Sequence, residues 1–170
     1  MEDFHMNTIK IIALGALFIS TTAAFGHESM PHHTAKVPAA REQKDWGIAG
    51  DAKAVRRTIT LRMGDDMRFT PRHIEVQEGE TVRLRAENRG KVLPEIVLGT
   101  QAELDRHAQM MQKFPDMAHD APDMAHVRAG QRGDIVWQFN RPGSFDFACL
   151  IPGHYESGMT GTITVRPRSR

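Results

Sequence analysis

Gly143-Ser144-Phe145-Asp146-Phe147-Ala148-Cys149-Leu150-Ile151-Pro152-Gly153-His154-Tyr155-Glu156-Ser157-Gly158-Met159-Thr160-Gly161-Thr162-Ile163-Thr164-Val165 is the stretch on which the fold turns. Phe145 and Phe147 alternate with Ser144 and Asp146, and Ile163 and Val165 alternate with Thr162 and Thr164. That period of two is the mark of strands with one buried face. Between the two strands lies a loop punctuated by Pro152, Gly153 and Gly158, which carries the only cysteine of the chain in a C-x4-H-x4-M spacing.

Working outward, the same alternation recurs upstream. Thr58 to Met63 reads as a strand ended by Gly64-Asp65-Asp66, and Met67 to Pro71 leads into Ile74-Glu75-Val76. After the turn Glu78-Gly79-Glu80, Thr81 to Asn88 alternates again and closes at Arg89-Gly90-Lys91. Ile96-Val97-Leu98 is a short apolar run ending at Gly99, and Gly133 to Phe139 is a further strand. One segment breaks the pattern: Thr100 with Glu103 three residues on has the form of a capping box, and Leu104, His107, Ala108 and Met111 fall at helical spacing. Phe114-Pro115 ends that helix, and Asp116 to Gly130 reads as a long loop. Many short strands with one inserted helix predict an all-β Greek-key sandwich or barrel.

Composition bounds the rest. With 170 residues, 40% of them apolar, the chain can bury one core of ordinary size. A net charge of +1, with Lys and Arg scattered, does not point to nucleic acid. Near the start, Lys10 precedes the apolar run Ile11 to Ile19 and the small residues Ser20 to Ala24. The run is too short to span a bilayer and has the length of a signal-peptide core, with Met6 a better start for it than Met1. The expected organisation is a signal peptide over 1–26, a flexible histidine-containing linker over 27–56 and the folded domain over 57–166. Periplasmic export follows, with no membrane association after cleavage. His27, His32 and His33 would then stand in a polar tail at the mature N-terminus.

Thiolate, imidazole and thioether together are a soft donor set suited to copper, whose Cu(I) state prefers sulfur and whose Cu(II) state prefers nitrogen. Cys149, His154 and Met159 are therefore the candidate metal ligands, respectively a thiolate, an imidazole and a weak axial thioether. A lone cysteine in an exported protein needs burial or a metal to escape oxidation.

Phe145 through His154, with Met159-Thr160-Gly161, resembles the copper loop of the blue copper proteins, the cupredoxins, and most nearly the periplasmic cupredoxins linked to copper tolerance. The resemblance extends over about residues 57–166. It takes in Phe69-Thr70-Pro71, Gly79-Glu80-Thr81-Val82, Glu95 to Thr100 and Val136-Trp137-Gln138-Phe139. It implies a Greek-key cupredoxin barrel that binds copper, Cu(I) or Cu(II), for electron transfer or copper handling. In one place the chain departs from that pattern. The family segment Asn-x-Gly-Lys-x-x-His-Glu supplies the first histidine ligand, and here it reads Asn88-Arg89-Gly90-Lys91-Val92-Leu93-Pro94-Glu95. Pro94 has no donor atom, so water, Glu95 or a histidine from elsewhere is left to fill that position.

A second group of soft donors stands in the helix and the loop after it: Met110, Met111, Met117, His119, Met124 and His126, with Pro-Asp-Met-Ala-His at 115–119 and again at 122–126. Met110 and Met111 are read as packing residues, the other four as packing or as an auxiliary capture site for Cu(I) or Ag(I). His73 and His107 are read as surface or packing residues. No serine nucleophile context and no phosphate-binding glycine loop is present in the sequence, and Asp116, Asp120 and Asp123 lack EF-hand spacing. The expected function is non-enzymatic: buffering or delivery of copper in copper tolerance, with a periplasmic redox or copper-transfer protein as partner. The alternatives are a blue electron carrier with an atypical ligand set, and a cupredoxin binding module without copper.

Overall fold

A computed structural model describes residues 41–115 and 119–169. The strands in chain order are β1 (Gln43–Lys44), β2 (Gly47–Ala49), β3 (Arg57–Met63), β4 (Phe69–Thr70), β5 (His73–Gln77), β6 (Glu80–Asn88) and β7 (Glu95–Gly99). After the helix α1 (Gln101–Lys113) come β8 (Met124–His126), β9 (Arg132–Phe139), β10 (Gly143–Ala148) and β11 (Thr160–Arg166). They form two sheets, in the orders β1-β2-β9-β6-β3-β4 and β5-β11-β10-β7-β8. Pairing is antiparallel except between β3 and β6 and between β5 and β11. Two mixed sheets with one helix agree with the all-β cupredoxin architecture read from the sequence.

The alternation decides which faces meet. Leu61 and Met63 of β3, Val82, Leu84 and Ala86 of β6, and Ile135, Trp137 and Phe139 of β9 are buried from the first sheet. Ile74 and Val76, Ile96 and Leu98, Phe145 and Phe147, and Ile163 and Val165 meet them from the second. Phe69 and Phe147 contact edge to face across this core, their ring centroids 5.0 Å apart, a geometry favoured by the ring quadrupoles.

Helix α1 covers the outer face of the second sheet. Thr100 caps it by accepting from the Glu103 N–H, and Glu103 in turn accepts from the Thr100 hydroxyl. Leu104, Ala108 and Met111 pack onto Val97, Met124, Ala148 and Leu150 in a second, smaller core. Strand β7 is consequently buried on both faces, with Ile96 and Leu98 toward the main core and Val97 toward the helix.

Three expectations are corrected. Part of the expected linker over 27–56 is ordered sheet: β1 and β2 pair with each other and β2 with β9, and Trp46 is buried, its carbonyl accepting from the Trp137 indole N–H at 2.9 Å. The expected loop from Asp116 to Gly130 contains β8, which pairs with β7. Met110 is 45% exposed and does not pack, whereas Met111 does. The signal peptide, the histidines of the N-terminal tail and Met117 lie outside the described residues. Among the described residues no helix is long and apolar enough to cross a membrane.

Candidate metal centre

Strands β10 and β11 pair in register up to Ala148 opposite Thr160, so Cys149 and Met159 come next, facing each other where the hairpin opens into its loop. The Cys149 N–H donates to the Met159 carbonyl at 3.0 Å. Both side chains are fully buried at the end of the main core. The loop then folds back on itself: the His154 N–H donates to the Ile151 carbonyl and the Met159 N–H to the His154 carbonyl, at 3.0 and 3.1 Å. Gly153 and Gly158 take the left-handed φ values of 87° and 82° that these reversals demand. This path brings His154 Nδ1 to 3.3 Å from Cys149 Sγ. Two donors at that separation fit the coordination sphere of one metal ion, and the soft-plus-imidazole chemistry fits copper.

Neighbouring elements hold the loop in place. Arg68 reaches over from the β3–β4 turn to donate to the carbonyls of Met67 and Ser157, both at 2.7 Å. From the other side, the Tyr155 hydroxyl donates to Asp105 at 2.6 Å and accepts from Gln101 at 2.8 Å, while Gln112 donates to Glu156. Helix α1 thus grips the loop at two places.

The electrostatics follow from burial. Burial pushes the Cys149 thiol up to about 12, against the Glu95 and Ile151 backbone N–H groups that draw it down. The thiol therefore holds its proton until a cation replaces it, as metal uptake by thiols requires. Burial also lowers the pKa of His154, with Glu156 opposing, which leaves the imidazole neutral and able to donate a lone pair.

The segment before β7 runs alongside the thiol. The Glu95 N–H points at Cys149 Sγ from 3.5 Å. Pro94, immediately before it, is buried, and its carbonyl accepts from the Val127 N–H. Asn88 shapes this approach, donating to the carbonyls of Val92 and Val127 and accepting from the Gly90 N–H. The residue that precedes the Glu95 N–H in the chain therefore carries no donor atom on its side chain. Glu95, one candidate for the open position, is engaged elsewhere: its Oε1 accepts from the Leu150 N–H at 3.0 Å, and its Oε2 faces His126 and His119.

Cys149, His154 and Met159 are thus together at one end of the sandwich. Of the Met/His group, Met111 and Met124 are core residues of the helix interface, whereas His119 and His126 converge on Glu95. His107, expected as an ordinary surface or packing residue, lies with its Nε2 3.2 Å from that of His119. Glu95 was not singled out as a donor of its own site by sequence reasoning. The available signal was a carboxylate heading an otherwise apolar run, Glu95-Ile96-Val97-Leu98, in a strand buried on both faces.

Comparison with known proteins points to a copper-binding family. The family described as copper binding proteins of the plastocyanin/azurin type matches residues 55–166. The copper-resistant cuproprotein CopI of Rubrivivax gelatinosus is 47% identical over 92% of this chain and 94% of its own length. The protein of the same name from Pseudomonas aeruginosa is 33% identical over 93% and 95%. Among solved structures, auracyanin B superposes with a TM-score of 0.60 at 23% identity, covering 75% of this chain and all of its own. The azurin Az-iso2 of Methylomonas sp. strain J gives 0.55 at 17% identity, over 68% of this chain and all of its own. These last two likenesses speak for the fold alone.

Proposed function

The chain belongs to the plastocyanin/azurin family of copper binding proteins and takes copper as its cofactor, and we propose that it is an exported, non-enzymatic protein of copper tolerance that buffers copper in the periplasm or hands it to a partner. Cys149, His154 and Met159 would hold the metal. The observation that carries this reading is the pairing of Cys149 Sγ with His154 Nδ1 at 3.3 Å, with the Glu95 N–H on the sulfur and Pro94, not a histidine, next to Glu95 in the chain. One thiolate, one thioether and one imidazole suit Cu(I), which accepts low coordination and sulfur donors. The relatives matched over nearly their whole length carry the name copper-resistant cuproprotein, which supports a tolerance role. The amino-terminal sequence pattern supports export. A periplasmic redox or copper-transfer protein would be the partner.

A second reading, a blue electron carrier, draws on the anchoring of the loop by Arg68, Tyr155 and Glu156. Donors held in fixed positions move little between oxidation states. Titration of the mature protein with Cu(II), and with Cu(I) under reducing conditions, separates the two, with Cys149→Ala in parallel. Tight Cu(I) binding that depends on Cys149, without an intense band near ~600 nm in the Cu(II) form, supports copper handling. An intense band lost in the variant would favour the carrier. No binding of either ion would overturn both.

A further inference from the structure

The side chain of Glu95, whose backbone N–H meets the thiol, belongs to a second cluster of donors. The register of β7 and β8 sets Glu95 directly opposite His126, and side chains opposite one another in an antiparallel pair share a face. Glu95 is fully buried, and while its Oε1 is used by the Leu150 N–H, its Oε2 makes no hydrogen bond among the described residues. His126 Nδ1 stands 3.4 Å from that oxygen and His119 Nε2 stands 3.8 Å from it.

The tautomer of His126 follows from its other contact. Its Nε2 lies 3.2 Å from the His119 carbonyl oxygen, which can only accept, so Nε2 carries the hydrogen. Nδ1 is then the ring atom that faces the Glu95 carboxylate oxygen. The carboxylate oxygen is buried and the imidazole lies at the surface, and a proton or another cation belongs between them. A ring nitrogen oriented by a hydrogen bond from its other nitrogen to a backbone carbonyl is the usual support of a metal-ligating histidine.

We propose that Glu95, His119 and His126 form a second metal site, with His107 at its edge, that takes a divalent first-row cation, Cu(II) ahead of Zn(II). The donor atoms of the three residues all lie within 4.8 Å of one another. Tetrahedral coordination at ~2.0–2.2 Å sets ligand atoms ~3.3–3.5 Å apart. The Glu95–His126 pair already has that spacing, and His119 needs only a small inward shift. Imidazole nitrogens are borderline donors and a carboxylate oxygen is a hard one, a set that favours Cu(II) and Zn(II) over Cu(I), and the stability order of divalent ions puts Cu(II) first. His107 Nε2, 3.2 Å from His119 Nε2, is placed either to orient that ring or to join the ligands. A surface cavity bordered by His107, His119, Asp120, Asp123 and Met124 gives the ion a way in. Such a site would let one chain hold both oxidation states of copper, each with the donors it prefers.

The test uses the full mature chain carrying Cys149→Ala, which removes the thiolate of the copper loop and leaves this cluster intact. Titration with Cu(II), followed by electron paramagnetic resonance, and with Zn(II), followed by calorimetry, should show one equivalent bound with nitrogen and oxygen ligands. Adding Glu95→Gln or His126→Gln should weaken that binding at least tenfold. The amide introduced by Glu95→Gln keeps an oxygen for the Leu150 N–H, and matching thermal unfolding curves would certify the fold. Absence of binding in the Cys149→Ala protein would overturn the proposal. So would affinity unchanged by Glu95→Gln and His126→Gln together, which would assign the ion to His27, His32 and His33. Failure of the copper-loop reading is seen separately, as loss of Cys149-dependent Cu(I) binding in the parent protein.

Discussion

Replacing Tyr155 by Phe cuts the tie between the copper loop and helix α1 while leaving the aromatic ring in place. The hydroxyl donates to Asp105 Oδ1 at 2.6 Å and accepts from Gln101 Nε2 at 2.8 Å. A hydrogen bond to an ionised partner is worth about 1.5–3 kcal/mol net. Both residues are partly open to water, so the lower end applies, about 1.5 kcal/mol. The bond from exposed Gln101 adds little, because water replaces it and Gln101 still donates to Asp105 at 2.9 Å. No cavity forms, since only an oxygen is removed. In a domain of this size each kcal/mol moves the midpoint by about 3–6 °C, so Tyr155→Phe should lower Tm by about 4.5–9 °C. Urea unfolding of the metal-free protein measures the loss, and a cycle with Asp105→Ala isolates the pair. A coupling energy of about 1 kcal/mol is expected. A value within the ~0.3–0.5 kcal/mol scatter of independent sites would refute the claim that this contact holds the loop to the helix.

Two further outcomes follow from the same geometry. Pro94→His should place an imidazole beside Cys149, because the next residue already points its N–H at the sulfur. Cu(II) spectra should then show an intense thiolate band near ~600 nm, stronger than in the parent, and a folded variant without it would mean that residue 94 does not face the metal. Asp134 receives two hydrogen bonds from Arg85, at 2.9 and 3.0 Å, and these hold its carboxyl below the usual range. A depressed carboxyl stabilises the fold above its ordinary value of about 3.9, and that contribution is lost as the pH falls through the lower folded value. The stability gap between the parent and Asp134→Asn, measured by urea unfolding, should therefore be constant near neutrality and close in acid. A gap independent of pH would refute the role given to this pair.

Where the strands are long, the sequence was enough to find them. Thr58 to Met63, Thr81 to Asn88 and Gly133 to Phe139 alternate over enough residues for a period of two to declare itself, and each is observed. The capping box at Thr100 located the helix start to the residue. What escaped are elements of two or three residues. Strands β1, β2 and β8 are too short to show a period, and only their partners make them strands. The same limit governs the site. Spacing sufficed for Cys149 and His154, which lie on one loop, because a short loop leaves few ways for its ends to meet. The approach of Glu95 to His126 depends on a strand pairing across a long connection, and nothing local encodes it.

The burial of Trp46 bears on how the chain folds. Its carbonyl meets Trp137, 91 residues later, and β5 finds its parallel partner only in β11, at the other end of the domain. Both closures join segments far apart in the chain, and such distant pairings slow folding because chain entropy must be lost before they form. The first strands among the described residues, β1 and β2, therefore have no sheet to join until β9 has emerged. A chain stalled before that point presents Trp46 and the alternating faces of β3 and β6 uncovered, so its most vulnerable interval falls late in its own synthesis.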